Sequence, residues 1–176
     1  RNSNPILTNK WREYERTITA VVAGYVQPQV ACYLSSLQTV LKEAGANVEP
    51  MITKSNGGVM TAERGKTDCA QMLLSGTASG VMGASSIAMQ TKVPMAMSLD
   101  IGGTSADVAI INSGEPQFGT GELIGEFPIY IPSVSVSSIG EGGGSIAWID
   151  EQGVLKVGPE SAGSVSYTHL RAHETR

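Results

Sequence analysis

The stretch MSLDIGGTSADVAII (97–111) constrains this chain more than any other. Apolar residues alternate on both sides of an Asp-x-Gly-Gly-Thr-Ser bend, which predicts two strands joined by a tight loop. Gly102 and Gly103 carry no Cβ, so the backbone can turn sharply and press its N–H groups against an anion. Thr104 and Ser105 add hydroxyl donors. Asp100, at the end of the first strand, repels a phosphate by itself. It becomes compatible with one when Mg2+ stands between them, held through water as this hard ion usually is. Asp107, at the start of the second strand, is placed to orient a nucleophile or a loop hydroxyl. Two common nucleotide loops are excluded. The stretch has no G-x-x-x-x-G-K-[ST] and no G-x-G-x-x-G, and it continues as a strand where those motifs open a helix. An ordinary hairpin with Gly-Gly in its turn is the plainer reading of the same residues.

Helical periodicity dominates the first part of the chain. Trp11, Tyr14, Ile18, Val21, Val22 and Tyr25 recur at steps of three and four. Pro28 is expected to open a second helix, with Val30, Leu34, Leu37, Val40 and Leu41 on its apolar face and Gly45 closing it. Residues 48–53 read as a short strand and 54–58 (KSNGG) as a turn, in which Asn56, Gly57 and Gly58 either line a cleft or form a plain loop. Residues 70–76 read as another strand. Residues 77–90 read as a helix whose Ala, Gly and Ser content allows close packing. Short strands are expected near 115–119, 122–124, 128–131 and 134–139. A second glycine-rich bend, GEGGGS (140–145), follows, and 146–157 reads as a hairpin turning at Asp150–Gly153. The order of elements implies α/β architecture with flanking helices, a mixed sheet and a β-meander. Gly142, Gly143, Gly144 and Ser145 either border a nucleotide or substrate cleft or simply turn the meander.

Composition excludes several classes. The 176 residues include 21 Gly and only 5% aromatics, which suits tight turns and close backbone approaches. The formal charge is -4, and no basic stripe offers a nucleic-acid footprint. No apolar run approaches the roughly 20 residues of a membrane span. Cys32 and Cys69 fit no metal or redox spacing and read as two reduced, buried thiols, suited to a cytoplasmic setting. Met89, Met95 and Met97 read as core filler. After Ser164 the chain changes character. His169 and His173 stand at metal-compatible i, i+4 spacing, but a site needs further ligands, and residues 165–176 read as a non-native or disordered tail.

LDIGGTSADVAII resembles the second phosphate loop of the actin, sugar-kinase and heat-shock-chaperone ATPase superfamily. Six segments in order narrow the resemblance: REYERTITAVVAGYV, SNGGVMTAE, LSGTASGVMGA, DIGGTSADVAII, IGEGGGSIAWID and VGPESAGS. Together they resemble the hydantoinase A / 5-oxoprolinase family over residues 12–164. The resemblance implies an actin-like (ribonuclease H-like) ATPase domain lacking its first phosphate loop, as part of a longer subunit. It implies ATP and Mg2+, opening of a small cyclic amide through phosphorylation of its carbonyl oxygen, and a B-type partner subunit. Within the same resemblance lies the ATP-using subunit of an acetone- or acetophenone-type carboxylase. Outside that chemistry, an ATP-switched chaperone or filament protein shares the fold. Three positions depart from the family: Thr77, where Pro is usual, Ser135, often an acid, and Glu141, usually small or an amide.

Overall fold

The computed structural model describes residues 13–124 and 126–163. Trp11, His169, His173 and the expected tail at 165–176 lie outside the described residues.

The first helix, α1 (Glu13–Glu43), is one helix of 31 residues that passes straight through Pro28. The expected break does not occur. Proline deletes one amide donor, the one that would reach the Gly24 carbonyl, and its ring crowds that carbonyl, a cost the packing of the helix offsets. Packing on both halves holds the helix together. Ile18, Val22 and Ala23 lie against Ile129 and Ile131, while Leu34 is fully buried. Val30, Leu37 and Leu41 are half-buried as their spacing predicts. Tyr14, Val21, Tyr25 and Val40 are exposed instead. Thr19 ties α1 to the sheet: its buried hydroxyl donates to the Glu15 carbonyl at 2.6 Å and accepts the Tyr130 N–H at 2.8 Å.

Next come β1 (Met51–Thr53) and β2 (Val59–Thr61), paired around the predicted 54–58 turn. The short helix α2 (Ala62–Gly65) follows, capped by Thr61, whose hydroxyl accepts the Arg64 N–H. Residues 70–76 do not form the expected strand. Cys69–Met72 make a 3₁₀ turn, and the next helix already begins at Ser75. Tertiary partners replace the ladder here. The Ser55 hydroxyl donates to the Gln71 and Leu73 carbonyls at 2.8 and 2.6 Å, and the Ser55 N–H reaches Gln71 as well.

Helix α3 (Ser75–Thr91) lies on β3 (Met95–Ile101) and β4 (Ala106–Asn112). Its small residues permit the close approach expected of them: Ala78, Val81 and Ala88 form one core with Ala109, Ile111 and Val134. Beyond β4 come β5 (Glu115–Pro116), β6 (Phe118–Ile124), β7 (Phe127–Val134), β8 (Ser137–Ile139), β9 (Ser145–Ile149) and β10 (Leu155–Ser161). Residues 134–139 thus split between β7 and β8, and β8 pairs with β4. The predicted hairpin at 146–157 is present as β9 and β10.

The architecture is α/β with helices against antiparallel sheets. Every pairing among the described residues is antiparallel, so the expected mixed sheet is not found. Every pair except β4–β8 joins consecutive strands by a turn too short for the crossover a parallel pair requires. The methionines also differ from expectation. Met89, Met95 and Met97 are exposed, because the period of two turns Ala96 and Ser98 towards α3 and sends Met95 and Met97, with Leu99 and Ile101, to the opposite face. Cys69 is buried but Cys32 is exposed, and both thiols are free.

Two outcomes follow from this packing. Thr19→Val keeps the side-chain shape and deletes both hydrogen bonds of the α1–β7 tie, so unfolding free energy should fall by about 1–3 kcal/mol. A urea melt with an unchanged midpoint would refute the tie. Burial pushes the Cys69 thiol above its ordinary range. Alkylation of the native chain near pH 8 followed by peptide mapping should therefore label Cys32 first and leave Cys69 protected.

Candidate functional site

The β3–β4 hairpin places the loop residues as predicted. Ile101 pairs with Ala106, and Asp100 stands directly opposite Asp107. Paired positions share a face, so both carboxylates lie on the side of the sheet that carries α3. The Gly102 N–H donates to the Ser105 carbonyl at 2.8 Å and closes the loop. That amide, expected to face an anion, is therefore spent on the turn. The N–H groups of Gly103 and Thr104 and the hydroxyls of Thr104 and Ser105 carry no hydrogen bond among the described residues. These four donors cluster at the tip of the hairpin.

The second glycine bend docks on the first. Gly143 N–H donates to the Gly102 carbonyl and Gly144 N–H to the Gly103 carbonyl, each at 2.8 Å. The Ser145 hydroxyl accepts the Gly142 N–H at 2.9 Å and so stays within its own bend. The contact tolerates no side chain: a Cβ on Gly142 would stand 2.6 Å from the Gly102 oxygen and 2.7 Å from the Ser105 nitrogen. The bend at 140–145 thus braces the loop. Sequence spacing alone did not reveal that the two bends touch.

Asp107 is the most tightly held carboxylate of the site. Thr77, in the first turn of α3, donates its hydroxyl to Oδ2 at 3.0 Å, and Ser138 donates to Oδ1. Asp100 is exposed. Two clefts meet at this point. One, of about 320 Å³, is bordered by Ser98, Asp100, Asp107 and Thr77. The other, of about 440 Å³, is bordered by Ser55, Thr77, Asp107, Ser133 and Ser138. Thr77 and Asp107 border both. The sequence marked Thr77 only as a departure from a pattern, and it passed over Ser133 and Ser138. The alternation of Ser and Val through 133–137 is a signal for Ser133, whereas Ser138 breaks that alternation and has none. Asn56, Gly57 and Gly58 form the plain turn of the β1–β2 hairpin, with Gly58 N–H held by Asn56 Oδ1 at 3.0 Å; neither cleft is lined by them.

The donor set bears on a metal. Among the described residues no group of three or more His, Cys, Asp or Glu side chains is gathered. Two carboxylates on one face, beside unspent loop amides and hydroxyls, fit a hydrated Mg2+ that arrives with phosphate oxygens. They do not fit an all-protein cage or a soft metal.

An antiparallel hairpin with open amides at its tip and paired acids on its flank stands at the meeting point of the two clefts of this α/β chain. A family model described as Hydantoinase/oxoprolinase matches residues 16–171, and the chain belongs to that family. It is 33% identical over 153 residues to the caprolactamase subunit alpha of Pseudomonas jessenii, covering 87% of this chain and 22% of that protein. Its fold is similar to the nucleotide-free structure of acetone carboxylase, with a TM-score of 0.72 and 30% identity, covering 88% of this chain and 22% of the other. It is also similar to ATP-dependent caprolactamase from Pseudomonas jessenii, with a TM-score of 0.67 and 31% identity, covering 87% of this chain and 22% of that one. The chain thus spans about a fifth of the length of each.

The docked bends lead to a paired test. Gly142→Ala in the full-length parent should displace the loop and weaken nucleotide binding at least tenfold. Gly140→Ala, whose Cβ would meet nothing within 4 Å, should leave it unchanged. Equal nucleotide affinity for the two variants, measured by calorimetry, would show that the bend does not brace the loop.

Proposed function

We propose that this chain supplies the second phosphate loop of an ATP-dependent enzyme that opens cyclic amides of the hydantoin or 5-oxoproline type. The observation that carries the reading is the β3–β4 hairpin, with free amides at Gly103 and Thr104, hydroxyls at Thr104 and Ser105, and Asp100 at its base. The family and the ATP-dependent caprolactamase support it. Phosphoryl transfer asks a protein chiefly for positioning and charge neutralisation, and these groups offer both.

Gly103, Thr104 and Ser105 hold the β- and γ-phosphates by amide and hydroxyl donors. Gly102 serves the turn, and Gly142, Gly143 and Gly144 keep the loop in place, with Ser145 closing their bend. Asp100 would hold a hydrated Mg2+, and the ion would neutralise charge on the phosphate oxygens when bound. Asp107, held by Thr77 and Ser138, orients the acceptor. The carbonyl oxygen of the amide attacks the γ-phosphorus, a new O–P bond forms, and the bond to the ADP oxygen breaks with its electron pair. The activated carbon then accepts water, and the ring C–N bond breaks as nitrogen takes a proton. A second water releases phosphate from the ring-opened product.

A carboxylase reading has its own support in the similarity to acetone carboxylase, where the acceptor oxygen would belong to an enolised ketone. The chaperone or filament reading has no such support among the comparisons. A relative named as a subunit alpha favours a B-type partner subunit here. The similar folds and the strand-loop-strand geometry favour an actin-like ATPase domain. Among the described residues no helix is long and apolar enough to cross a membrane. Two unpaired cysteines suit a reducing cytoplasm.

Asp100→Asn in the full-length parent, assayed with its neighbouring subunit, should abolish Mg-ATP turnover, a loss of at least a hundredfold, without lowering the melting temperature. Normal turnover would remove the metal role. Stimulation of ATP hydrolysis by unfolded peptide, with none by 5-oxoproline, hydantoin or acetone, would remove the reaction altogether.

A further inference from the structure

We infer that the cavity of about 440 Å³ between the first turn of α3 and β7 is the acceptor's seat, and that among the cyclic amides proposed above it selects the uncharged ones, of the hydantoin type, over the anionic 5-oxoproline. This rests on the phosphoryl-transfer reading above. Ser133 borders the cavity, is only 3% exposed, and its hydroxyl has no hydrogen-bond partner among the described residues. A buried hydroxyl left in that state is uncommon, and a ligand oxygen satisfies it. The same cavity receives the N-terminus of α3, a helix of 17 residues whose N-cap, Leu74, provides no side-chain cap. First-turn amides at such an end attract a carbonyl oxygen.

The other polar wall has the opposite character. Asp107 accepts from Thr77 and Ser138 and keeps further acceptor capacity. It welcomes an N–H and repels a carboxylate or phosphate. Leu74, Val134 and Val136 complete the lining with aliphatic surface. The ligand that answers all three walls carries an acceptor C=O, an adjacent donor N–H and a short apolar body, without net charge. A lactam ring has that form, whereas a cyclic ketone lacks the N–H. Because Thr77 and Asp107 border this cavity and the cleft of Asp100 alike, the bound ligand would lie next to the phosphate loop.

The test uses the full-length parent with its neighbouring subunit and calorimetry without nucleotide. Wild type should bind 2-pyrrolidone, and both cyclopentanone and the anionic 5-oxoproline at least tenfold more weakly. Ser133→Ala should weaken 2-pyrrolidone about tenfold, the usual effect of one buried hydrogen bond, and leave the Mg-ATP affinity unchanged. Val136→Phe, which fills the aliphatic side, should abolish lactam binding and also spare Mg-ATP. No measurable 2-pyrrolidone binding, equal affinity for the ketone or for 5-oxoproline, or full lactam affinity in both variants would each overturn the inference. A parent that binds 2-pyrrolidone with this pattern yet never hydrolyses ATP would retain the cavity assignment and discard the phosphoryl-transfer reading.

Discussion

Two main-chain hydrogen bonds, Gly143 to Gly102 and Gly144 to Gly103, hold the tip of the β3–β4 hairpin against the bend that precedes β9. They need a bare backbone on the bracing side, since a Cβ on Gly142 or Gly144 would stand 2.6 or 2.7 Å from the loop carbonyl oxygens. With the loop carbonyls engaged on that side, the remaining amides are left to the open side. The arrangement recruits backbone dipoles, whose positions are set by the chain itself and need no side-chain ordering when an anion arrives. Small residues of α3 continue the same logic beneath the sheet, where Ala78, Val81 and Ala88 bring the helix close enough for Thr77 to reach Asp107.

Asp100 and Asp107 face each other across the ladder, and like charges directly opposite are unfavourable. The fold answers this unequally. Asp107 receives two hydroxyl donors from separate elements, while Asp100 stays exposed. A held carboxylate suits orientation of a neutral reactant. A solvated one suits a cation that keeps most of its water. The asymmetry gives two identical side chains different surroundings.

The sequence made the hairpin, α3, the 54–58 turn and the β9–β10 hairpin legible, because each is a local pattern closed by its own turn residues. It misread Pro28 as a boundary, since the gain from packing on both halves of α1 is not visible in a local window. It misread 70–76 as a strand because Ser55, distant in sequence, captures the carbonyls that a ladder would have used. It took Met95 and Met97 for core because hydrophobicity does not say which of two sheet faces is covered. Of the candidate site, the hairpin that carries Asp100 and Asp107 was legible, whereas the contacts of Thr77, Ser133 and Ser138 were not.

By itself the sequence determined the alternation of residues 97–111 and the bare-backbone bend between the strands, and hence the hairpin. Those follow from the two-residue period of a strand and from glycine's missing Cβ, both properties of neighbours. Only the tertiary structure decided which amides stay free, that the two glycine bends touch, and that Asp107 is clamped across separations of 30 and 31 residues by Thr77 and Ser138. Such contacts depend on how α3 and β8 pack around β4, and no local stretch of chain encodes the meeting of elements so far apart.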